Sequence, residues 1–230
     1  MPHGRFRQRE KHLGRTNDLF SAALAFDPLS FERSARASGY SCIAGLDEAG
    51  RGPLAGPVVA AAVVLPEGLL IPGLTDSKQV PELLRERLFE AIREQAVCYG
   101  VGIVDERMID EVNILQATMI AMERALEQLD PRPDYLLIDA LTLQRVPLPQ
   151  KPIIKGDCRS HSIAAASILA KVTRDRLMLE LHKKYPRYNF QKHKGYGTRE
   201  HRSLLQEYGP CDAHRKTFNP VAEMLRNGTR

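Results

Sequence analysis

The chain has little of what would set it apart from ordinary globular proteins. Its four cysteines, Cys42, Cys98, Cys158 and Cys211, are widely spaced, and no C-x-x-C pair occurs. A zinc knuckle or a disulfide framework is therefore not expected, and reduced thiols in a cytoplasmic protein are. No apolar stretch reaches the ~20 residues that a helix needs to cross a bilayer. The uncharged run Pro53–Pro66 has 14 residues with proline at both ends, and its valines suit a buried strand. No apolar leader core follows the N-terminus, so no secretory signal is expected. Internal repeats are absent, as are low-complexity linkers after residue 40.

What is present fits an ordinary soluble globular protein of one or two domains: 230 residues, 43% hydrophobic and 27% charged. A net charge of +5 favours polyanionic partners, a weak signal until the positions of the charges are considered. Residues 1–36, with Arg5, Arg7, Arg9, Lys11 and Arg15, read as a flexible basic extension carrying one short helix around Leu19–Ala25. Residues 37–230 read as one domain that includes the C-terminal helices.

Periodicity organises the rest. Ser41–Leu46, Pro57–Leu65, Cys98–Val104 and Tyr135–Ile138 are apolar runs of strand length, and Ile153–Ile154 suggests a fifth. Helical spacing marks Pro81–Gln95, Ile114–Leu129, Ser162–Lys184, Arg199–Tyr208 and Val221–Leu225. Strands followed by alternating helix and strand predict an α/β fold, with a mixed β-sheet flanked by helices and a small helical C-terminal portion.

Acids stand where apolar strands end. Asp47 and Glu48 follow the first run, Asp139 follows Tyr135–Ile138, and Asp157 follows a glycine just before a helix. Strand ends of an α/β sheet converge on one edge, so acids remote in sequence can meet there. Carboxylates about 4 Å apart repel by several kcal/mol at an intermediate dielectric, so such a cluster takes up protons or holds cations. Hard divalent ions with oxygen ligands suit it. Taken singly, each acid also fits a turn or a helix cap. Neighbouring strand residues point to opposite faces, so Asp47 and Glu48 can both aim inward only if the strand ends or bulges there. Otherwise Glu48 serves through its backbone carbonyl or a bridging water.

The run Ala44-Gly45-Leu46-Asp47-Glu48-Ala49-Gly50-Arg51-Gly52-Pro53-Leu54-Ala55-Gly56-Pro57 closely resembles the signature of type 2 ribonucleases H, specifically the ribonuclease HII family. Thr75-Asp76-Ser77-Lys78, the Leu137-Ile138-Asp139 strand end and Lys155-Gly156-Asp157 resemble it too. So do the run Ala164–Asp175 and His193-Lys194-Gly195-Tyr196-Gly197-Thr198, with all motifs in family order across residues 40–223.

The resemblance implies an RNase H-like fold and an endoribonuclease acting on the RNA of RNA–DNA hybrids. It implies cutting 5′ of ribonucleotides embedded in duplex DNA, as in ribonucleotide excision repair, with 3′-hydroxyl and 5′-phosphate products. Asp47, Glu48, Asp139 and Asp157 map onto its metal-binding acids, with two Mg2+ or Mn2+ ions expected. Gly50, Arg51 and Gly52 map onto the loop that reads the ribose 2′-hydroxyl, helped by Tyr196. Glycine there lets backbone approach a sugar where a Cβ would clash. Lys78, Lys171, Lys192 and Lys194 are candidate phosphate contacts, followed by Arg159, Ser160 and Asn113. His161, His182, His193, His201 and His214 lack ligand spacing and read as surface or capping residues. The enzyme is expected to be a cytoplasmic monomer with no membrane partner and no clamp-binding motif.

Three other readings are weaker. A phosphate-binding loop around Gly45–Gly52 lacks the Lys-Ser/Thr pair. A non-catalytic nucleic-acid-binding module would not need the four acids. The related ribonuclease HIII carries an added N-terminal sheet domain, for which 36 residues are too few.

Overall fold

A computed structural model describes residues 27–228. Five strands form one mixed sheet in the order β3-β2-β1-β4-β5. They are β1 (Ile43–Ala49), β2 (Val58–Val64), β3 (Cys98–Val104), β4 (Tyr135–Asp139) and β5 (Gln150–Ile153). The first three pair antiparallel, whereas β1, β4 and β5 run parallel. β2 lies at the interior of the sheet, and all seven of its residues are buried. Its VVAAAVV sequence answers to burial on both faces rather than to alternation.

Two apolar layers cover the sheet. On one face Ala44, Leu46, Val58, Ala60, Leu136 and Ile138 pack with Ala117, Ala121, Met122 and Ala125 of α4 (Ile114–Leu126). On the other, Val59, Ala61 and Val63 pack with Leu88, Phe89 and Ile92 of α2 (Glu82–Gln95) and with Ala165, Ile168 and Leu169 of α5 (His161–Lys184). The small residues that open α5 let it lie close to β1. At Gly45 a Cβ would stand 2.2 Å from the carbonyl carbon of Ser162, so only glycine permits this approach.

Several boundaries differ from the sequence reading. β1 does not break at Glu48 but stays paired through Ala49 opposite Val59. β5 starts at Gln150 and ends at Ile153, leaving Ile154 exposed. Pro152 hid this strand, and as an edge strand it tolerates a proline. A short helix, α3 (Glu106–Val112), was not anticipated. The Asp105 side chain caps it by accepting from the Met108 N–H at 2.9 Å.

Part of the supposed extension belongs to the fold. α1 (Ser30–Ala37) carries Glu32, whose Oε1 accepts from the Ser160 hydroxyl (2.6 Å), the Ser162 hydroxyl (2.7 Å) and the Ser162 N–H (3.0 Å). A carboxylate thereby sits at the positive end of the 24-residue α5. Phe31 lies between the charged ends of Lys151 and Arg159, 5.0 and 5.2 Å from its ring. The boundary drawn at residue 37 is thus corrected by this docking, while the helix expected at Leu19–Ala25 lies outside the described residues.

The C-terminal portion comprises α6 (Phe190–His193), α7 (Arg199–Tyr208) and α8 (Val221–Arg226). Phe190, Leu205 and Val221 pack with Leu54, Ala55 and Met178. This layer presses the segment after β1 against the end of α5, beside the sheet edge where the acids stand. No helix among the described residues is long and apolar enough to cross a membrane.

Candidate active site

The parallel pair β1 and β4 supplies the centre. Leu46 pairs with Ile138, and one step further Asp47 and Asp139 lie side by side on the α5 face. Asp47 is buried and Asp139 partly so. Asp157 joins them from the single turn between β5 and α5, and the Gly156 N–H in that turn donates to Asp139 Oδ1 at 2.7 Å. Glu48 approaches from the opposite face, because β1 remains regular. Its Oε1 lies 3.5 Å from the Arg51 guanidinium, whereas its Oε2 is buried without a partner.

Burial and mutual repulsion raise the proton affinity of this group. Asp47 is pushed well above the usual carboxylate range by burial, then by Glu48 and Asp139. Glu48 is raised by burial, against the pull of Arg51. Asp157 is raised by burial, then by Asp76 and Asp139, with Lys78 opposing. Lys78 itself is raised: burial opposes the shift, but Asp76, Asp47 and Asp157 outweigh it. An orphaned buried oxygen within an all-carboxylate set, short of compensating cations, fits hard divalent ions.

One member of the neighbourhood escaped the sequence reading. Among the described residues, the group whose ligand atoms all lie within 4.8 Å of one another is Asp76, Asp157 and Cys158. The quartet Asp47, Glu48, Asp139 and Asp157 is more widely spread. Asp76 sits inside the Thr75–Lys78 motif, which was the available signal.

The Gly50–Gly52 loop leaves β1 beside these acids. Gly50 adopts φ +101°, and a Cβ there would lie 2.1 Å from the Arg174 Nε. Glycine is therefore required by packing at Gly50, whereas Gly52 is exposed to open space. Two fully buried arginines hold the loop, and among the described residues neither pairs with a carboxylate. Arg215 donates to the carbonyls of Gly50 (2.6 Å), Arg51 (2.9 Å) and Gly56 (2.8 Å). Arg174 donates to Ala55, Pro57 and Lys194. Burial lowers Arg174 to about 10 and Arg215 to about 9, which still leaves both charged at neutral pH. Tyr196 is 40% exposed, with the Arg174 guanidinium 5.8 Å from its ring centre.

The other expected phosphate contacts are placed differently. Lys171 is half-buried and paired with Asp175 at 2.7 Å. The Lys194 ammonium donates to the Gln191 carbonyl, and Lys192 pairs with Glu200. The Asn113 side chain caps α4, accepting from Leu115 and Gln116. Ser160 is 1% exposed and spends its hydroxyl on Glu32 and on the α5 cap. Arg159 is exposed beside Phe31.

The histidines require a correction. His161, His193, His201 and His214 are buried rather than superficial. His161 accepts the Ile71 N–H at 2.9 Å, and the other three form a cluster beneath Tyr196. Their spacing in sequence carries no period, so only the fold brings them together.

Comparison with known proteins gives the family. The family model for ribonuclease HII matches residues 44–221. A ribonuclease HII of Ruminiclostridium cellulolyticum is 60% identical over 190 residues, covering 83% of this chain and 74% of the relative. The ribonuclease H2 structure from Pyrococcus horikoshii superposes with a TM-score of 0.69 at 27% identity, covering 83% of this chain and all of that one. The ribonuclease HII of Archaeoglobus fulgidus, solved in complex with PCNA, gives a TM-score of 0.67 at 27% identity, with 78% and 96% coverage. The chain belongs to the ribonuclease HII family, metal-dependent endonucleases that degrade the RNA of RNA–DNA hybrids.

Proposed function

We propose that this endonuclease cuts 5′ of ribonucleotides, including single ones embedded in duplex DNA, and leaves 3′-hydroxyl and 5′-phosphate ends. The observation that carries this reading is the juxtaposition of the acid group with the pinned Gly50–Gly52 loop. Asp47, Glu48, Asp139 and Asp157 would hold two divalent cations, Mg2+ or Mn2+, with Asp76 near Asp157. When bound, such ions activate water and stabilise the leaving oxygen.

The chain's own residues select the sugar. Arg215 draws the carbonyls of Gly50 and Arg51 inward. Among the described residues, neither the Arg51 nor the Gly52 N–H donates a hydrogen bond. Those donors are what the loop offers to a ribose 2′-oxygen, and exposed Gly52 presents no Cβ to keep the sugar away. Arg51 neutralises an adjacent phosphate, and Lys78 another. The exposed Tyr196 ring packs on the deoxyribose that follows the ribonucleotide, where a 2′-hydroxyl would intrude. The enzyme would act as a cytoplasmic monomer, and its four free cysteines accord with a reducing compartment. A non-catalytic binding module is disfavoured, since it would gain nothing from buried, mutually repelling acids.

The test is cleavage of a DNA duplex containing one ribonucleotide, with Mg2+, Mn2+ or no divalent ion, and with the product ends mapped. Metal-dependent cutting on the 5′ side is expected. An intact duplex, or cutting on the 3′ side, would overturn the reading.

A further inference from the structure

The Tyr196 turn and the Gly50–Gly52 loop are far apart in sequence, and buried histidines join them. His201 is fully buried and His214 is 1% exposed. The ring of His193 stacks on that of His201 with centroids 4.3 Å apart, and Phe190 packs edge-on against both.

What each ring nitrogen faces assigns the protons. The Tyr196 carbonyl can only accept, so His201 Nδ1, 2.9 Å away, carries a proton. In a neutral ring His201 Nε2 then accepts. His214 Nε2 lies 3.0 Å from it and must donate. That leaves His214 Nδ1, which has the Cys211 N–H at 3.0 Å, the Cys211 thiol at 3.2 Å and the Cys211 carbonyl at 3.3 Å around it, to accept the shortest of these contacts, the N–H. The same accounting gives His193 a proton on Nε2, which donates to the Tyr188 carbonyl at 2.6 Å, while Nδ1 accepts the Gly195 N–H at 3.2 Å. All six ring nitrogens are used with all three rings neutral. Burial disfavours their charged forms, lowering His201 to about 4 and, with the help of His201, His214 to about 3.

The ring chain ties one element read above as sugar-selective to a residue whose backbone and sequence neighbour hold the other. One end is the Tyr196 carbonyl. At the other, His214 bridges Ala55, and the next residue, Arg215, grips the carbonyls of Gly50 and Arg51. We propose that His201 and His214 are positioning residues whose Nε2–Nε2 hydrogen bond fixes the Tyr196 turn relative to the Gly50–Gly52 loop. Ring and loop then meet an RNA–DNA junction as one preset surface. This rests on the sugar-selection reading and adds the device that holds its two halves in register. A cut at a single ribonucleotide needs both halves, whereas most cuts within a long RNA–DNA hybrid need the loop alone.

Two variants of the full chain separate positioning from plain packing. His214→Asn keeps an acceptor for the Cys211 N–H but is too short to reach His201. His214→Gln places an amide N–H near the Nε2 position. The readout is kcat/KM on a single-ribonucleotide duplex divided by kcat/KM on a long hybrid, measured with saturating Mg2+. His214→Asn is expected to lower this ratio about tenfold and His214→Gln less than about threefold, with similar losses of melting temperature. Nitrogen-15 spectra of the wild-type rings should show Nδ1–H on His201 and Nε2–H on His214. Equal ratios for the two variants, or a proton on His201 Nε2, would overturn the proposal. Tyr196→Ala is the control. If it leaves the ratio unchanged, the sugar-selection reading falls and the proposal with it. If it lowers the ratio and His214→Asn does not, the proposal alone falls.

Discussion

The guanidinium of Arg215 donates to the carbonyl oxygen of Gly50 across 2.6 Å, joining positions 165 residues apart in sequence. The same side chain serves Arg51 and Gly56, so one buried cation fixes the shape of a whole loop. Arginine suits this task because its donors form a rigid planar fork. Lysine would keep the charge and lose the fork. Arg215→Lys should leave one or two buried carbonyls unmatched, at about 1–3 kcal/mol each. Denaturant unfolding checks this, and a variant as stable as wild type would show that the fork is dispensable.

The acids lead to a metal prediction that does not depend on turnover alone. Mn2+ should raise the melting temperature of the wild-type protein, because binding to the folded state alone contributes about 2.7 kcal/mol at a hundred times Kd. Asp47→Asn removes a buried charge from the repelling group, so its response to Mn2+ should be much smaller. Its cleavage rate should fall by roughly a thousandfold, about 4 kcal/mol of barrier, with the fold retained. An unchanged Mn2+ response would remove Asp47 from the metal site.

Much of this site was legible in the sequence because the signals were local. Apolar runs ending in acids placed Asp47 and Asp139 at strand ends, and glycine at 50 and 52 marked a loop of close approach. The side on which Glu48 lies was not legible, since it depends on β1 pairing as far as Ala49 opposite Val59. Nor were the roles of Arg174, Arg215, His201 and His214. Each acts on partners tens to hundreds of residues away or through a ring proton that no spacing encodes. Nor does spacing show which lysines are already paired within the fold, as Lys171 is with Asp175 one helical turn away.

Docking of α1 divides the N-terminal segment into two parts with different expected behaviour. Removing residues 1–26 should leave the saturated cutting rate unchanged, because no catalytic candidate lies there. It should also make the dependence of log affinity on log salt shallower, because Arg5, Arg7, Arg9, Lys11 and Arg15 are lost. Glu32→Ala in the full chain should instead cost about 1–2 kcal/mol, since it takes the carboxylate from the start of α5. Cutting rates, salt titrations and thermal melts of both proteins check this. A slower saturated cutting rate or an unchanged salt slope for the 1–26 deletion, or a neutral Glu32→Ala, would contradict it.

The buried histidines also set a pH dependence of stability whose sign can be worked out. In the unfolded chain a histidine titrates at 6.5, whereas in the fold His201 is lowered to about 4 and His214 to about 3, both chiefly by burial. Above pH 6.5 each ring is neutral in both states, and the histidines favour neither. As pH falls below 6.5 the unfolded chain binds protons that the fold refuses, so stability declines until the folded values are reached. The slope approaches about 1.4 kcal/mol per pH unit for each ring. The acid site runs the other way, because Asp47, Glu48 and Asp157 have raised proton affinities and lose stability as pH rises. Near the rings, Glu200 favours and Lys192 disfavours a charge on His193. These backgrounds are common to wild type and His214→Gln, so the difference between the two isolates one ring. Denaturant unfolding at steps from pH 7.5 to 4.5 should show wild type losing stability more steeply than His214→Gln below pH 6.5. Parallel curves would mean that His214 takes up its proton in the fold as readily as in the unfolded chain, and the neutral hydrogen-bonded chain would lose its basis.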